Sequence, residues 1–527
     1  MTFNLASLFE ALVDADPGRE VLVVGDRRLT YQDLDERANR LAKVLAGAGV
    51  GAGDMVGLQL ANGSEYLEGM LAAFKLSAIP VNINYRYVER ELRYLYEDSG
   101  IVALLVHRAF ASKAATALKD AAPMWLLLDV DDGSGEPPAP GSTEYEAALA
   151  GASPTRPHSE GRSSDDLYLI YTGGTTGMPK GVVWRHEDIF KAAMGGGDLT
   201  QSGDYATSPE DLARRLPENG ITALGAPPLM HAAAHWLAFN MLYTGGKVVL
   251  MPLGRFDPAE VWATIEREAV FNIVLVGDAM TKPMLDYLEA HQGDLNTDSL
   301  WVIASSGAAL SQHNKDRLLA LLPGRMIFDS LGSSETGTLG SKSGSTFTLN
   351  ASTTVMGEDR TVVEPGSGRV GKVARRGHVP LRYHNDPVKS EATFVEVDGV
   401  RWALTGDDAT LEADGTVVLL GRGSQCINTG GEKVYPEEVE EPIKSHPSVE
   451  DALVVGVPDE RWGERVVAVV HATGPLTLAD LQAHVRAHVA GYKVPKDLVL
   501  VDKVVRSPAG KADYRWAKEA ATTSLGA

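Results

Sequence analysis

The sequence predicts an α/β protein. A large N-terminal domain of two α/β subdomains and a β-rich subdomain should be followed by a small, mobile α+β C-terminal domain. Three observations predict this. Short apolar runs alternate with helix-like segments early in the chain, and the same rhythm resumes after an irregular stretch. Between Thr346 and Val418 the character changes to short strands with turn signals. The final segment then carries a compact βα pattern of its own.

The elements follow in order. LASLFEALVDA has helical spacing, EVLVVGDRRLT reads as a hairpin, and YQDLDERANRLAKVLAGAG is a long amphipathic helix ending at glycine. MVGLQL, AIPVNIN and IVALLV are buried-strand candidates. From Asp131 to Asp166 the chain is rich in Gly, Pro, Ser and charge, as a surface excursion would be. A second irregular stretch is GGGDLTQSGDYATSPED. GKVVLM, FNIVLV and LWVIASS then read as strands, and FDPAEVWATIERE and HNKDRLLALL as helices. The last part reads as a helix over EEVEEPIKSH, strands DALVVGVP and VVAVVHA, a helix from Leu478 to Val489 and the strand LVLVDKVV. GRGS breaks the strand VVLLG, which puts the domain boundary between residues 1–422 and 423–527. No internal repeat or low-complexity tract is present.

With 527 residues, 44% of them hydrophobic, the chain can bury more than one core. Its formal charge of −21 argues against nucleic acid or an anionic membrane as partner, since both need basic surface. Cys426 is the only cysteine, which excludes an intrachain disulfide and a thiolate metal cluster and fits a reducing cytoplasm. The N-terminus lacks the basic start and long apolar run of a secretory signal. No uncharged apolar run reaches the ~18 residues needed to span a bilayer.

The most informative stretch is YTGGTTGMPKG, Tyr171 to Gly181. It joins an apolar strand (Leu167 to Tyr171) to a loop of glycines and threonines. Such a loop can bring backbone N–H groups and hydroxyls close to a polyphosphate, with Lys180 as its point charge. It is not a Walker loop, because Lys180 follows Pro179 and precedes Gly181. Other segments can serve the same nucleotide. SSGAAL (305–310) follows an apolar strand and offers a flat backbone to a base. LGSSETG (331–337) sets Glu335 in a small-residue loop, where a carboxylate can hold Mg²⁺. TGD (405–407) exposes an acid suited to ribose hydroxyls, Arg422 adds a guanidinium, and RSPAGK (506–511) ends in a lysine on a turn.

As an ordered set these motifs, with PPLMHAAAH and GRGSQCINTGGEKVYPEEVE, resemble the adenylate-forming superfamily over essentially the full length. That superfamily comprises acyl-CoA synthetases, luciferases and peptide-synthetase adenylation domains. WRHED, GSSETG, INTGGEKVYPEEVE and AGYKVP…RSPAGKADYRWAK look most like actinobacterial ligases that activate fatty-acid or steroid side-chain carboxylates.

The resemblance implies roles. Thr172, Gly173, Gly174, Thr175, Thr176, Gly177 and Lys180 would wrap the β- and γ-phosphates of ATP. Gly307, Ala308, Asp329, Ser330, Leu331 and Ser334 would line the adenine side. Glu335 would bind Mg²⁺ with Thr175 or Thr176 nearby, and Asp407 and Arg422 would hold the ribose. His231 would stand at the carboxylate end of the acyl pocket, and Lys511 would contact the reacting carboxylate and α-phosphate. A hinge at Gly423–Ser424 would swing the small domain between half-reactions. Gly430 and Gly431 would then face the thiol channel, with Lys433 and Lys493 toward the phosphates of coenzyme A.

The implied activity is ATP-dependent ligation of a hydrophobic carboxylic acid to coenzyme A through an acyl-AMP intermediate, in the cytoplasm, with a homodimer as the default assembly. Two alternatives stay open: an acyl-AMP ligase serving a carrier protein or an amine, and a non-catalytic, nucleotide-responsive binding protein. The chain departs from the superfamily pattern at Gly173 (usually serine), Leu331 (usually aromatic), Ser424 (usually an acid) and Asn428 (usually lysine).

Some features carry a plainer reading. His231 and His235 have the spacing of a metal pair but lack a third ligand. His484 and His488 share a helix face, which reads as packing or solvated surface. Cys426 has no partner cysteine. Trp236, Phe239 and Met241 can be core or pocket, and Asp278 can shape the acyl pocket or cap a helix.

Overall fold

A computed structural model of the protein describes residues 3–119, 124–172, 178–200, 202–252, 254, 256–308, 310–342, 346–422, 425–429, 432–459, 463–489, 491–506 and 511–526, with backbone alone at 422, 428, 432, 433 and 463. Four sheets organise these residues. An eight-stranded sheet runs in the order Arg382–Tyr383, Lys180–Arg185, Leu167–Thr172, Ile79–Asn82, Met55–Gln59, Ala103–His107, Leu126–Val130 and Thr143–Glu144. From Leu167–Thr172 outward its neighbours are parallel. A nine-stranded sheet has Val302–Ser305 and Met326–Ser333 as parallel neighbours and ends on the Glu20–Val24 and Arg27–Thr30 hairpin. These two sheets are the paired α/β subdomains expected from the alternation.

The apolar faces meet in one large core. Helices Leu5–Ala15, Tyr31–Gly47 and Ser64–Lys75 bury Leu8, Phe9, Leu34, Leu41 and Phe74 against Tyr168, Ile170, Trp184 and Phe239. A capping box of Thr30 and Asp33 starts the Tyr31–Gly47 helix by satisfying otherwise orphaned amides. Trp236, Phe239 and Met241 all lie in this core, so the plainer of their two readings holds.

A five-stranded antiparallel sheet forms the β-rich part, and the small C-terminal sheet draws only on strands from Ile427 to Leu500. Helix Pro436–Lys444 leaves that small unit to touch the large one. The Gln312 amide donates to Glu441 at 2.7 Å, and Tyr435 Oη donates to Asp408 at 3.3 Å.

Three expectations of detail shift. The β-rich part contains a 12-residue strand, Val400–Leu411, rather than short strands only. A register irregularity between Asp408 and Ala409 breaks its pattern, as a bulge does. The helix from Leu478 ends at Arg486, not Val489; Ala487 bonds back to His484, which closes the last turn ahead of Gly491. The helices that the periodicity reading does not name include Gly277–Ala290, which contains Pro283, Ala232–Tyr243 and Tyr514–Leu525. Among the described residues no helix is long and apolar enough to cross a membrane.

Candidate active site

The glycine- and threonine-rich motif is flanked by two strands that pair with each other. Strands Leu167–Thr172 and Lys180–Arg185 pair antiparallel, with Thr172 opposite Lys180 and Tyr171 opposite Gly181. Gly173, Gly174, Thr175, Thr176 and Gly177 lie outside the described residues. Gly181 has no room for a side chain: a Cβ there would stand 2.8 Å from Leu169 and 3.1 Å from both Tyr171 and His384. Leu169 and Tyr171 crowd it from the paired strand, and His384 from a late segment that docks on this hairpin. Tyr383 pairs with Val182, and the His384 amide donates to the Gly181 carbonyl at 2.7 Å.

Asn82 clips the hairpin from its other side. Its Nδ2 donates to the carbonyls of Tyr171 (2.9 Å) and Met230 (2.8 Å), and its Oδ1 accepts from the Tyr171 amide at 2.6 Å. One buried side chain thus ties the strand that leads into the glycine-rich motif to the residue before His231. Its sequence signal was a polar residue inside the apolar run AIPVNIN.

Glu335 sits in the turn between strands Met326–Ser333 and Gly337–Lys342. Trp184 Nε1, on the lysine strand, donates to the Ser334 carbonyl at 3.0 Å. Buried Arg375 donates to the carbonyls of Thr336 (3.0 Å), Thr338 (2.7 Å) and Ala192 (3.2 Å), fixing the turn from behind. Tyr383 Oη donates to Glu335 Oε1 at 3.0 Å, while the Lys180 ammonium lies 6.0 Å from the centre of the Tyr383 ring. Lys180 and Glu335, 155 positions apart, are therefore brought to one tyrosine. Neither Tyr383 nor Arg375 belongs to a motif the sequence reading used.

The residues expected along the adenine are adjacent. In the parallel pair Val302–Ser305 and Met326–Ser333, Ser305 registers with Asp329, so Gly307 and Ala308 leave their strand just past that pairing. Gly307 has φ +83°, a conformation that favours glycine, and no atom within 4 Å of where a Cβ would be. The Asp329 carboxylate turns inward to Lys315 (3.2 Å) and Lys342 (3.8 Å). Burial raises its pKa against the pull of both lysines. Leu331, where an aromatic is usual, packs with Leu419 on the cluster of Leu339, Phe347, Val373 and Val417. Strand Val417–Arg422 pairs with Val400–Leu411, and Asp407 falls opposite Arg422. The two residues expected at the ribose are thus cross-strand neighbours.

His231 caps helix Ala232–Tyr243, and its Nε2 is buried with no hydrogen-bond partner. Burial, then the charges of Lys511 and Arg86, push its pKa down to about 3, so the imidazole is neutral at pH 7. Lys511 therefore stands close enough to His231 for its charge to be felt there, although 280 positions separate them. His235 is no metal ligand. Tyr168 Oη accepts from Trp236 and so donates to His235 Nε2, and His235 Nδ1 donates to the Leu229 carbonyl at 2.8 Å.

Asp278 accepts from Ser311 and from Asn314 Nδ2, joining its own helix to the start of helix Gln312–Leu321, whose cap is Ser311 itself. Lys493 is ion-paired with Glu438 inside the small unit. The Lys433 backbone pairs with Asn428, and Gly430, Gly431, Gly423 and Ser424, the last two expected as a hinge, lie outside the described residues.

The donor set fits a hard divalent ion bound largely through a ligand. Glu335 offers one carboxylate, with one oxygen already engaged by Tyr383. No group of three or more His, Cys, Asp or Glu side chains able to hold a metal occurs among the described residues. Mg²⁺ commonly uses one or two carboxylates plus substrate phosphates.

Residues 9–377 match the AMP-binding enzyme family, and residues 438–511 match the AMP-binding enzyme C-terminal domain. The chain is 48% identical to a 3-oxocholest-4-en-26-oate–CoA ligase of Rhodococcus rhodochrous, over 98% of this chain and 96% of the relative. It is 46% identical, with the same coverage, to a medium/long-chain-fatty-acid–CoA/3-oxocholest-4-en-26-oate–CoA ligase of Mycolicibacterium smegmatis. The fold matches the crystal structure of the anthranilate CoA ligase AuaEII in complex with anthranoyl-AMP, with a TM-score of 0.86, 22% identity, and coverage of 100% of this chain and 98% of that one. By family match, full-length identity and fold, the chain belongs to the AMP-binding enzymes.

Proposed function

We propose that this protein is an ATP-dependent acyl-CoA ligase for a hydrophobic carboxylic acid, either a fatty acid or a steroid-derived acid. The observation that carries the reading is convergence: Lys511 acts on His231, Asn82 ties His231's neighbour to the phosphate hairpin, and Tyr383 joins Lys180 to Glu335. The names of the full-length relatives support the substrate class.

A carboxylate is a poor electrophile, and its encounter with ATP brings two anions together. In the first half-reaction a carboxylate oxygen would attack the α-phosphorus. The bond from that phosphorus to the bridging oxygen breaks, and pyrophosphate leaves with the electron pair. Lys180 and Lys511 would neutralise charge from opposite ends, acting as preorganised electrostatic groups. Glu335 would hold Mg²⁺, which supplies charge neutralisation at the β- and γ-phosphates. A neutral His231 can donate or accept a hydrogen bond at the carboxylate without adding a cation there. In the second half-reaction the thiol sulfur of coenzyme A would attack the acyl carbon. The carbon–oxygen bond to AMP breaks, AMP leaves, and the thiol proton is released. The small domain would turn about residues 423–424 between the halves. The reading includes a cytoplasmic setting, consistent with a single cysteine, and a homodimer.

The test is AMP release from ATP by the purified full chain across a panel of fatty and steroid acids, with and without coenzyme A. Acid- and CoA-dependent AMP release with thioester formation is expected. Pyrophosphate exchange without thioester would move the assignment to an acyl-AMP ligase. ATP binding without AMP formation from any acid would mean that catalysis is lost.

A further inference from the structure

We propose that Tyr383 is a positioning residue that holds the metal-binding carboxylate and the phosphate-binding lysine apart and in register. The inference deepens the nucleotide-site reading and rests on it. Tyr383 Oη donates to Glu335 Oε1 at 3.0 Å, and the face of the same ring lies 6.0 Å from Lys180 Nζ. The ammonium faces the ring and the carboxylate meets the hydroxyl, so the two charges stand at different parts of one side chain. An opposite-charge pair at the heart of an anion site would otherwise be drawn together, and each would then be less available to its own partner, phosphate or metal. The tyrosine answers both charges at once. Its hydroxyl satisfies one carboxylate oxygen, and its π-face offers the ammonium a weaker, replaceable partner. A phosphate can displace a ring face more easily than a carboxylate.

The placement of the tyrosine is over-determined. Its backbone pairs with Val182, two residues past Lys180, and its amide donates to Ser390 Oγ at 2.9 Å. Phe394 packs on the ring with centroids 5.3 Å apart. The following residues anchor elsewhere: His384 and Asn385 both bond the Asp98 carbonyl at 3.0 Å, and Asp98 Oδ2 accepts from Tyr171 Oη at 2.6 Å. Outer partners that orient a metal-binding carboxylate are a general device.

The experiment is calorimetric binding of ATP to the full chain with Mg²⁺ and with EDTA, for wild type, Tyr383→Phe, Glu335→Ala and the double variant. Tyr383→Phe keeps the ring and loses the hydroxyl. Expected is a reduction of about tenfold in the gain of ATP affinity that Mg²⁺ confers. Metal-free affinity should fall far less than the Mg²⁺-dependent gain, and the thermal midpoint should drop modestly with the lost hydrogen bond. In the Glu335→Ala background the same change should do nothing, because the partner is gone. Tyr383→Leu, which also removes the ring from Lys180, should additionally change metal-free ATP affinity. Wild-type behaviour of Tyr383→Phe overturns the proposal, as does an equal fall in metal-free and Mg²⁺-dependent binding, or an undiminished effect in the Glu335→Ala background. If Tyr383→Phe does not fold, metal-free affinity unchanged in Tyr383→Leu overturns the lysine half of the proposal. If wild type itself binds ATP no better with Mg²⁺, the metal–nucleotide reading falls too, which separates the two failures.

Discussion

Replacing Lys511 with methionine keeps the length of the side chain and removes one positive charge. Lys511 is half-buried, and its charge already lowers the proton affinity of the buried His231 imidazole. In such a partly screened setting the effective dielectric is near ~20, so a unit charge about 4 Å away interacts with about 4 kcal/mol. At ~1.4 kcal/mol per tenfold this is close to a thousandfold in rate. Single preorganised donors in other active sites contribute about 10²–10³. Acid-dependent exchange of labelled pyrophosphate into ATP, which reads adenylation alone, is therefore expected to fall about 10²–10³-fold in K511M. Single-turnover reaction of chemically prepared acyl adenylate with coenzyme A should stay within about threefold, since the interaction removed belongs to the phosphoryl step. Equal losses in both halves would mean the lysine serves the fold and not the phosphoryl transfer. Unchanged exchange would refute the electrostatic argument outright.

Asn82→Ala leaves two backbone carbonyls and one amide without a side-chain partner; a stability loss of about 2–4 kcal/mol is expected, checked by chemical denaturation, with a raised KM for ATP. Gly421→Ala should cost about 1–3 kcal/mol, measured as a lower thermal midpoint, because Gly421 has φ +108° and its Cβ would stand 2.1 Å from Glu437 Oε2. Mild acid should weaken the large unit. Burial lowers the pKa of His107, His186 and His235 to about 4 and of His231 to about 3, against 6.5 unfolded. Each then binds its proton more readily once unfolded, so stability is whole above pH 6.5 and drains below it, by about 2 kcal/mol per imidazole at pH 5. Glu437, held up at about 7 by burial and Glu440, works in the opposite sense near the small unit. A thermal midpoint for the large unit that does not fall from pH 7 to pH 5 would contradict the buried, neutral histidines.

Legibility followed from how local each constraint is. The α/β rhythm was readable because a buried parallel strand must be apolar throughout, and AIPVNIN, FNIVLV and LWVIASS are nearly so. The Gly277–Ala290 helix was not, since Pro283 interrupts a pattern that tertiary packing nonetheless holds helical. At the site, the residues proposed to meet ATP through backbone or charge announced themselves as motifs, because such contacts demand glycine and lysine at fixed spacing. Residues that act through those residues left little trace. Arg375 stands between valine-rich and charged sequence and looks like any strand arginine, yet three carbonyls converge on it. Tyr383 is in a two-residue strand whose partner lies 201 positions away at Val182. No local pattern can encode such a pairing, because its reason lies in the Lys180 and Glu335 charges it separates. Asn82 is the intermediate case: a polar residue in a buried run must find partners, and that necessity was visible even though the partners were not. The contrast carries a general expectation for this site. Substitutions at motif residues should remove a step, whereas substitutions at Asn82, Arg375 and Tyr383 should change the geometry, and hence the metal and nucleotide dependence, of steps that still occur.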